Sequence, residues 1–215
     1  GNVFNITTGE GYATLKEAVT AAQDDAVLWM FADLTIDEEN YMYTDPYSAY
    51  AVMVAEKSIT LDLNGHTLSS DADDTLVYVS GSGTLRVRDS RGGGAIQNTS
   101  NEKWSLAVGV YGTFVMESGA LVSDGGYALY NYNHQGTMYG TSTILSGSLT
   151  GYDLGIANCG VLTIHDAKIS SDPDEGWDID NSGYLAITGE VEIESLILQD
   201  GADAPGVPGK GTLDL

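Results

Sequence analysis

One short pattern recurs along this 215-residue chain: a glycine, any residue, an apolar residue, any residue and a second apolar residue. It stands at Gly83-Thr-Leu85-Arg-Val87, Gly112-Thr-Phe114-Val-Met116, Gly160-Val-Leu162-Thr-Ile164, Gly183-Tyr-Leu185-Ala-Ile187 and Gly211-Thr-Leu213-Asp-Leu215. Ile59-Thr-Leu61-Asp-Leu63 carries it without the glycine, and Gly140-Thr-Ser142-Thr-Ile144 carries it with serine in one apolar slot. Successive starts lie 24, 29, 28, 20, 23 and 28 residues apart by subtraction of these numbers. A period of this size suits one turn of a solenoid, in which each unit buries its apolar face only by stacking on its neighbours.

Each unit holds more than one strand. A further apolar position follows the first strand across a tight polar turn, as in Leu68 after Asn64-Gly65, Leu121 after Ser118-Gly119, Leu149 after Ser146-Gly147 and Ile169 after Asp166-Ala167. A third strand reads as Leu76 to Val79, Leu106 to Val110, Tyr127 to Tyr130, Tyr152 to Ile156 and Trp177 to Ile179. Three strands per unit make a triangular coil, so the expected fold is an all-β parallel β-helix. Alternation points Leu85 and Val87 inward and Thr84, Arg86 and Arg88 outward. Asn158 and Asn181 each precede a unit-opening glycine by two residues, which predicts an asparagine ladder between adjacent coils. Their amides would satisfy turn backbone otherwise left without partners.

The opening segment has a different period. Thr14 to Glu17 has capping-box spacing, and Leu15, Ala18, Val19 and Ala22 fall on one apolar helical face. This predicts a helix laid over the open end of the first coil, where it covers apolar core and unpaired strand edges. The expected organisation is an N-terminal segment with its capping helix over residues 1–25 and a β-helix over 26–215, forming one domain. The chain opens at Gly1 without a methionine and closes at Leu215 in mid-pattern, which predicts a monomeric module cut from a larger protein.

Charge narrows the partners. Eight Lys and Arg against 31 Asp and Glu give a net charge of -23, which repels nucleic acid, anionic headgroups and polyanionic sugars. No apolar stretch approaches the roughly 20 residues of a membrane span, so no membrane insertion is expected. Cys159 rules out an internal disulfide framework and reads as a small buried hydrophobe.

Three segments together resemble a known family: Tyr12-Ala-Thr-Leu-Lys-Glu-Ala-Val, the strand Val27 to Phe31 with Ala32-Asp33-Leu34-Thr35-Ile36, and Ser58-Ile-Thr-Leu-Asp-Leu-Asn-Gly-His-Thr-Leu68. They look like the opening of pectin-lyase-like parallel β-helix modules in bacterial cell-surface proteins. The resemblance implies a right-handed, single-stranded β-helix with three strands per coil and a secreted or cell-surface bacterial location. It leaves function open, since such folds serve lyases, glycosidases, phage tail spikes, adhesins and inert spacers.

For a lyase the resemblance implies calcium-binding acids beside a catalytic Arg or Lys. For a glycosidase it implies clustered aspartates with a histidine. Here Arg86, Arg88 and Arg91 read as solubilising residues or partners of nearby acids. His66, His134 and His165 fall at different pattern positions, and no catalytic residue is assigned. Asp73-Asp74 is an adjacent pair whose side chains, on a regular strand, would point to opposite faces. The densest acid run, Asp172-Pro-Asp174-Glu-Gly176-Trp-Asp178-Ile-Asp180, offers oxygen ligands for a structural Ca²⁺ through Asp172, Asp174, Asp178 and Asp180, the other reading being a solvated acidic loop. No other cofactor is expected. Thirteen tyrosines, many within Tyr41 to Tyr50 and Tyr127 to Tyr139, suit sugar rings or protein contacts as well as ordinary strand packing. The expected function is a non-catalytic structural or adhesive module that binds glycans or host and cell-surface proteins. The alternatives are a polysaccharide lyase or glycoside hydrolase, or a phage tail-fibre or spike segment.

Overall fold

The computed structural model describes residues 1–134, 138–174 and 176–198, with the backbone of 212–214. Among the described residues the fold is all-β apart from one α-helix and a short 3-10 helix at Glu38–Asn40, and most strand pairs are parallel. A 15-stranded and an 8-stranded sheet account for nearly all strands. No helix among the described residues is long and apolar enough to cross a membrane.

Strands pair with the equivalent strand of the next unit, which is what the repeat demands. The first strands run Ala26–Met30, Ser58–Asp62, Thr84–Arg88, Thr113–Met116, Thr141–Gly151, Val161–Ser170 and Tyr184–Ile187, each beside the next in parallel. Their registers align Ile59, Leu85, Phe114, Ser142, Leu162 and Leu185 in one column, and Leu61, Val87, Met116, Ile144, Ile164 and Ile187 in the next. All are buried except Ile187, which is half-buried. Leu63 is buried as well but lies past the end of its strand. The repeat at Gly211 to Leu215 is described only over 212–214, whose backbone pairs with Tyr184–Ala186; Gly211 and Leu215 lie outside the described residues.

The second strands, among them Thr67–Ser70, Ala95–Asn98 and Ala120–Ser123, stack Leu34, Leu68, Ile96, Leu121, Leu149 and Ile169. The third strands form the 8-stranded sheet: Ala49–Val54, Thr75–Val79, Leu106–Val110, Tyr127–Asn131, Leu154–Asn158, Trp177–Asn181 and Leu196–Leu198, with Tyr43–Thr44 antiparallel at one edge. Val52, Val77, Val108, Leu129, Ile156 and Ile179 form its inner column. Residues from all three stacks meet in one apolar cluster.

Two local features explain the repeat's composition. A Cβ on Gly160 would lie 2.2 Å from the Gly140 carbonyl oxygen, and one on Gly183 would lie 2.2 Å from that of Gly160. Glycine opens each unit because successive backbones touch there. The asparagine ladder has one more rung than expected: Asn131 Nδ2 donates to Asn158 Oδ1 at 2.8 Å, and Asn158 Nδ2 donates to Asn181 Oδ1 at 2.6 Å. The exceptional serine belongs to it, since Ser142 Oγ donates to Asn131 Oδ1 at 3.1 Å.

The helix spans Leu15–Ala21 with the capping box formed by Thr14 and Glu17. Its Leu15 and Val19 line a gap with Leu28, Val52 and Ile59, so it lies over the first unit. Lys57 Nζ reaches the helix C-terminus, donating to Ala22 O at 2.8 Å and Val19 O at 3.2 Å, where a cation complements the exposed carbonyls. An antiparallel pair that periodicity did not predict, Val3–Asn5 with Glu10–Tyr12, extends the first sheet, with Val3–Asn5 antiparallel to Ala26–Met30. Cys159 is half-buried rather than buried, with its sulfur 3.8 Å from the Tyr130 hydroxyl.

Candidate functional site

The 8-stranded sheet carries a continuous row of aromatic rings. Tyr43 stacks on Tyr50 at 5.2 Å between centroids, Tyr50 on Tyr78 at 4.1 Å, and Tyr78 meets Tyr111 edge-on at 6.1 Å. Tyr111 stacks on Tyr132 at 4.4 Å, Tyr132 on Tyr130 at 4.2 Å, and Tyr130 on Tyr127 at 5.8 Å. Trp104 closes the row against Tyr127 at 5.7 Å. The row's Tyr127 joins Leu106, Leu154 and Ala157 in an apolar cluster separate from the main core, with Tyr130 and Tyr132 packed on it. Gly109 makes room for this layer: a Cβ there would sit 3.1 Å from Tyr132 Cε2.

Two loops frame a groove on this face. In Asp45-Pro46-Tyr47-Ser48 the Asp45 carboxylate accepts from the amides of Tyr47 at 2.7 Å and Ser48 at 2.8 Å, a turn that Asp and Pro favour at these positions. It holds Tyr47 out in solvent, 94% exposed. On the other loop Asn98 Nδ2 donates to Ala72 O and Leu106 O, and Ser100 Oγ donates to Asp73 Oδ1 at 2.8 Å. Trp104, carried on this loop, is 66% exposed. The groove has a volume of about 440 Å³ and is lined by Tyr47, Tyr50, Tyr78, Trp104, Tyr111 and Tyr132 together with Ser48, Asp73 and Asp74. Among the described residues no basic side chain lines it.

Asp73 and Asp74 therefore share one groove, against the expectation from strict alternation. They precede the strand Thr75–Val79 rather than lying within it. Asp74 Oδ2 accepts from the Ala49 amide at 3.0 Å and Oδ1 from Thr75 Oγ1 at 2.8 Å. The far end of the row is also acidic: Asp153 lies beside Tyr127 and 3.5 Å from Lys103 Nζ.

Burial lifts the phenols of Tyr78, Tyr127, Tyr130 and Tyr132 well above the ordinary tyrosine range, with Asp153 adding to the effect at Tyr127. These groups stay neutral hydroxyls at any physiological pH. Because the folded chain holds these protons more tightly than the unfolded chain, stability is unaffected below the free-tyrosine value of about 10 and falls as pH rises beyond it. Absorbance titration of the phenolates should show these four tyrosines ionising only as circular dichroism reports unfolding. Thirteen tyrosines titrating together in the folded protein would contradict the packing.

The acid run proposed for calcium is divided. Asp178 is 5% exposed: its Oδ1 accepts from Ser171 Oγ at 3.0 Å and its Oδ2 from the amides of Glu194 at 2.6 Å and Ser195 at 3.2 Å. Asp172 Oδ1 accepts from the Asp174 amide at 2.9 Å, and Asp174 is exposed. Asp180 is half-buried and close enough to Tyr127 to raise its pKa. Register places Asp178 after Gly155 and Asp180 after Ala157, so the two occupy different columns. Leu76 and Val77 both enter the core, so strict alternation, which would put Asp178 and Asp180 on one face, does not hold in this sheet. Among the described residues no group of three or more His, Cys, Asp or Glu converges as a metal site; Glu175 lies outside them. Asp178→Asn should lower the melting temperature by the same amount in chelator and in millimolar calcium, since it breaks the bonds to residues 194 and 195. A calcium-dependent difference would show that the loop binds the ion.

The outward arginines engage acids, as expected: Arg88 Nε lies 2.8 Å from Asp62 and Arg86 Nη1 lies 2.5 Å from Glu117. His66 and His165 lie near Asp33 and Asp166 respectively, far apart in the stack. Sequence reading singled out the tyrosine-rich segments but missed Tyr78, Trp104 and Tyr111. Their signal was faint: single aromatics within or beside third strands, in separate units. No protein-family model, curated protein or solved structure matches the chain.

Proposed function

We propose that the chain is a right-handed, single-stranded parallel β-helix of the pectin-lyase-like kind, borne by an exported bacterial protein as a non-catalytic module that binds glycan on its tyrosine face. Parallel pairing between equivalent strands one unit apart supports the architecture, and the strong right-handed preference of parallel crossovers supports its hand. The observation that carries the function is the groove. Exposed indole and phenol surfaces at Trp104 and Tyr47 offer flat apolar area to sugar C–H groups, while neutral phenols and two carboxylates offer hydrogen bonds to hydroxyls. The net charge of -23 disfavours polyuronates.

The test is a panel of neutral, amino and acidic oligosaccharides, read for binding and for product. Binding without turnover, lost in Trp104→Ala at unchanged melting temperature, is the expected result. No binding to any sugar sinks the reading. One observation favours a second reading, a glycoside hydrolase: Asp73 and Asp74 enter the same groove. Turnover abolished by Asp74→Asn would replace the binding module with that enzyme.

A further inference from the structure

We propose that the groove selects a cationic amino sugar, a hexosamine unit with its amine free, over the neutral and N-acetylated equivalents. This rests on the glycan reading and specifies its ligand. Groove chemistry and overall charge point to it independently.

Among the described residues the only charged side chains that line the groove are Asp73 and Asp74, and the nearest basic residue along the chain, Lys103, stands beside Asp153. Asp74 is held by the Ala49 amide and Thr75 Oγ1, so its carboxylate is fixed in place rather than swinging in solvent. Asp73 is exposed, with Ser100 Oγ on Oδ1. A fixed carboxylate beside aromatic surface makes a charge-assisted hydrogen bond to an ammonium while the sugar ring lies on indole or phenol. A neutral hydroxyl or the amide N–H of an N-acetyl group gains less from the same oxygens than an ammonium does, and the acetyl carbonyl is an acceptor that a carboxylate cannot serve. At net charge -23 the whole surface also draws cations toward this face.

The ligands for the test are tetramers of glucosamine, N-acetylglucosamine and glucose, with tetralysine as a control for adsorption to an acidic surface. Calorimetry on the intact chain at low salt should show glucosamine tetramer binding at least tenfold tighter than either sugar, with affinity falling as salt rises. Asp73→Asn with Asp74→Asn should erase most of that preference, the larger share of it through Asp74. Trp104→Ala, which leaves the net charge untouched, should weaken the glucosamine tetramer at least tenfold and tetralysine hardly at all. Equal binding of the three sugars overturns the amine preference and leaves glycan binding standing. Tetralysine matching the glucosamine tetramer, with Trp104→Ala affecting neither, overturns the proposal as mere adsorption. No binding by any sugar removes this proposal and the glycan reading together.

Discussion

Ile164→Asp should leave no folded protein at 25 °C. Ile164 is 0% exposed and sits between Ile144 and Ile187 in a column that runs through the core. No cation stands in that column to pair with a carboxylate. An unpaired charge there costs several kcal/mol, against a total stability of about 5–15 kcal/mol for a typical domain. Because each unit leans on the next, loss at this position uncovers the units on both sides. Ile164→Val, which removes one methylene, should cost only about 0.5–1.5 kcal/mol and give a normal circular dichroism spectrum. A soluble Asp variant melting like the parent would disprove the register.

The second large effect is expected at Asn158, whose amide makes four hydrogen bonds without any exposure to solvent. Its Oδ1 accepts from Asn131 Nδ2 at 2.8 Å and the Gly160 amide at 3.2 Å, and its Nδ2 donates to Asn181 Oδ1 at 2.6 Å and Tyr184 O at 2.9 Å. Asn158→Ala strands several of these groups, at about 1–3 kcal/mol for each left unsatisfied. Partial rearrangement around Asn131, which also donates to Val161 O at 2.9 Å, limits the sum, so a loss of about 3 kcal/mol in urea unfolding is expected. The exposed pair Thr150 and Ser170 supplies the control, and Thr150→Ala should change stability by less than about 0.5 kcal/mol. If both variants cost the same small amount, the ladder is incidental.

The parts that sequence predicted are those where one short-range rule acts alone. Leu85 and Val87, or Leu162 and Ile164, alternate because one face of each first strand is buried, and period two is visible in five residues. The helix was equally legible through Thr14, Glu17 and its apolar stripe. The hairpin at Val3–Asn5 and Glu10–Tyr12 was not, since strands of three residues are too short to show a period. Alternation also failed within the third strands: Leu76 and Val77 both turn inward, and the same departure separates Asp178 from Asp180. The groove was hidden for another reason. Its rings come from residues 47 to 132, and only the offset between units, which varies from 20 to 29 residues, decides that Tyr78, Tyr111 and Tyr132 become neighbours.

The ring contacts also determine how the molecule handles light. From Tyr43 to Trp104 each centroid lies between 4.1 and 6.1 Å from the next. At these separations excitation absorbed along the row should pass from phenol to phenol to the indole at its end, which an excitation spectrum of the indole emission would show as a tyrosine band. Tyrosine fluorescence should then be weak in the folded protein, and the stacked phenols should give a near-ultraviolet dichroism that is lost on unfolding. Trp104 is largely open to solvent, so with Trp29 and Trp177 replaced by Phe its emission should shift to the blue when its surroundings dry out, a label-free reporter on this face.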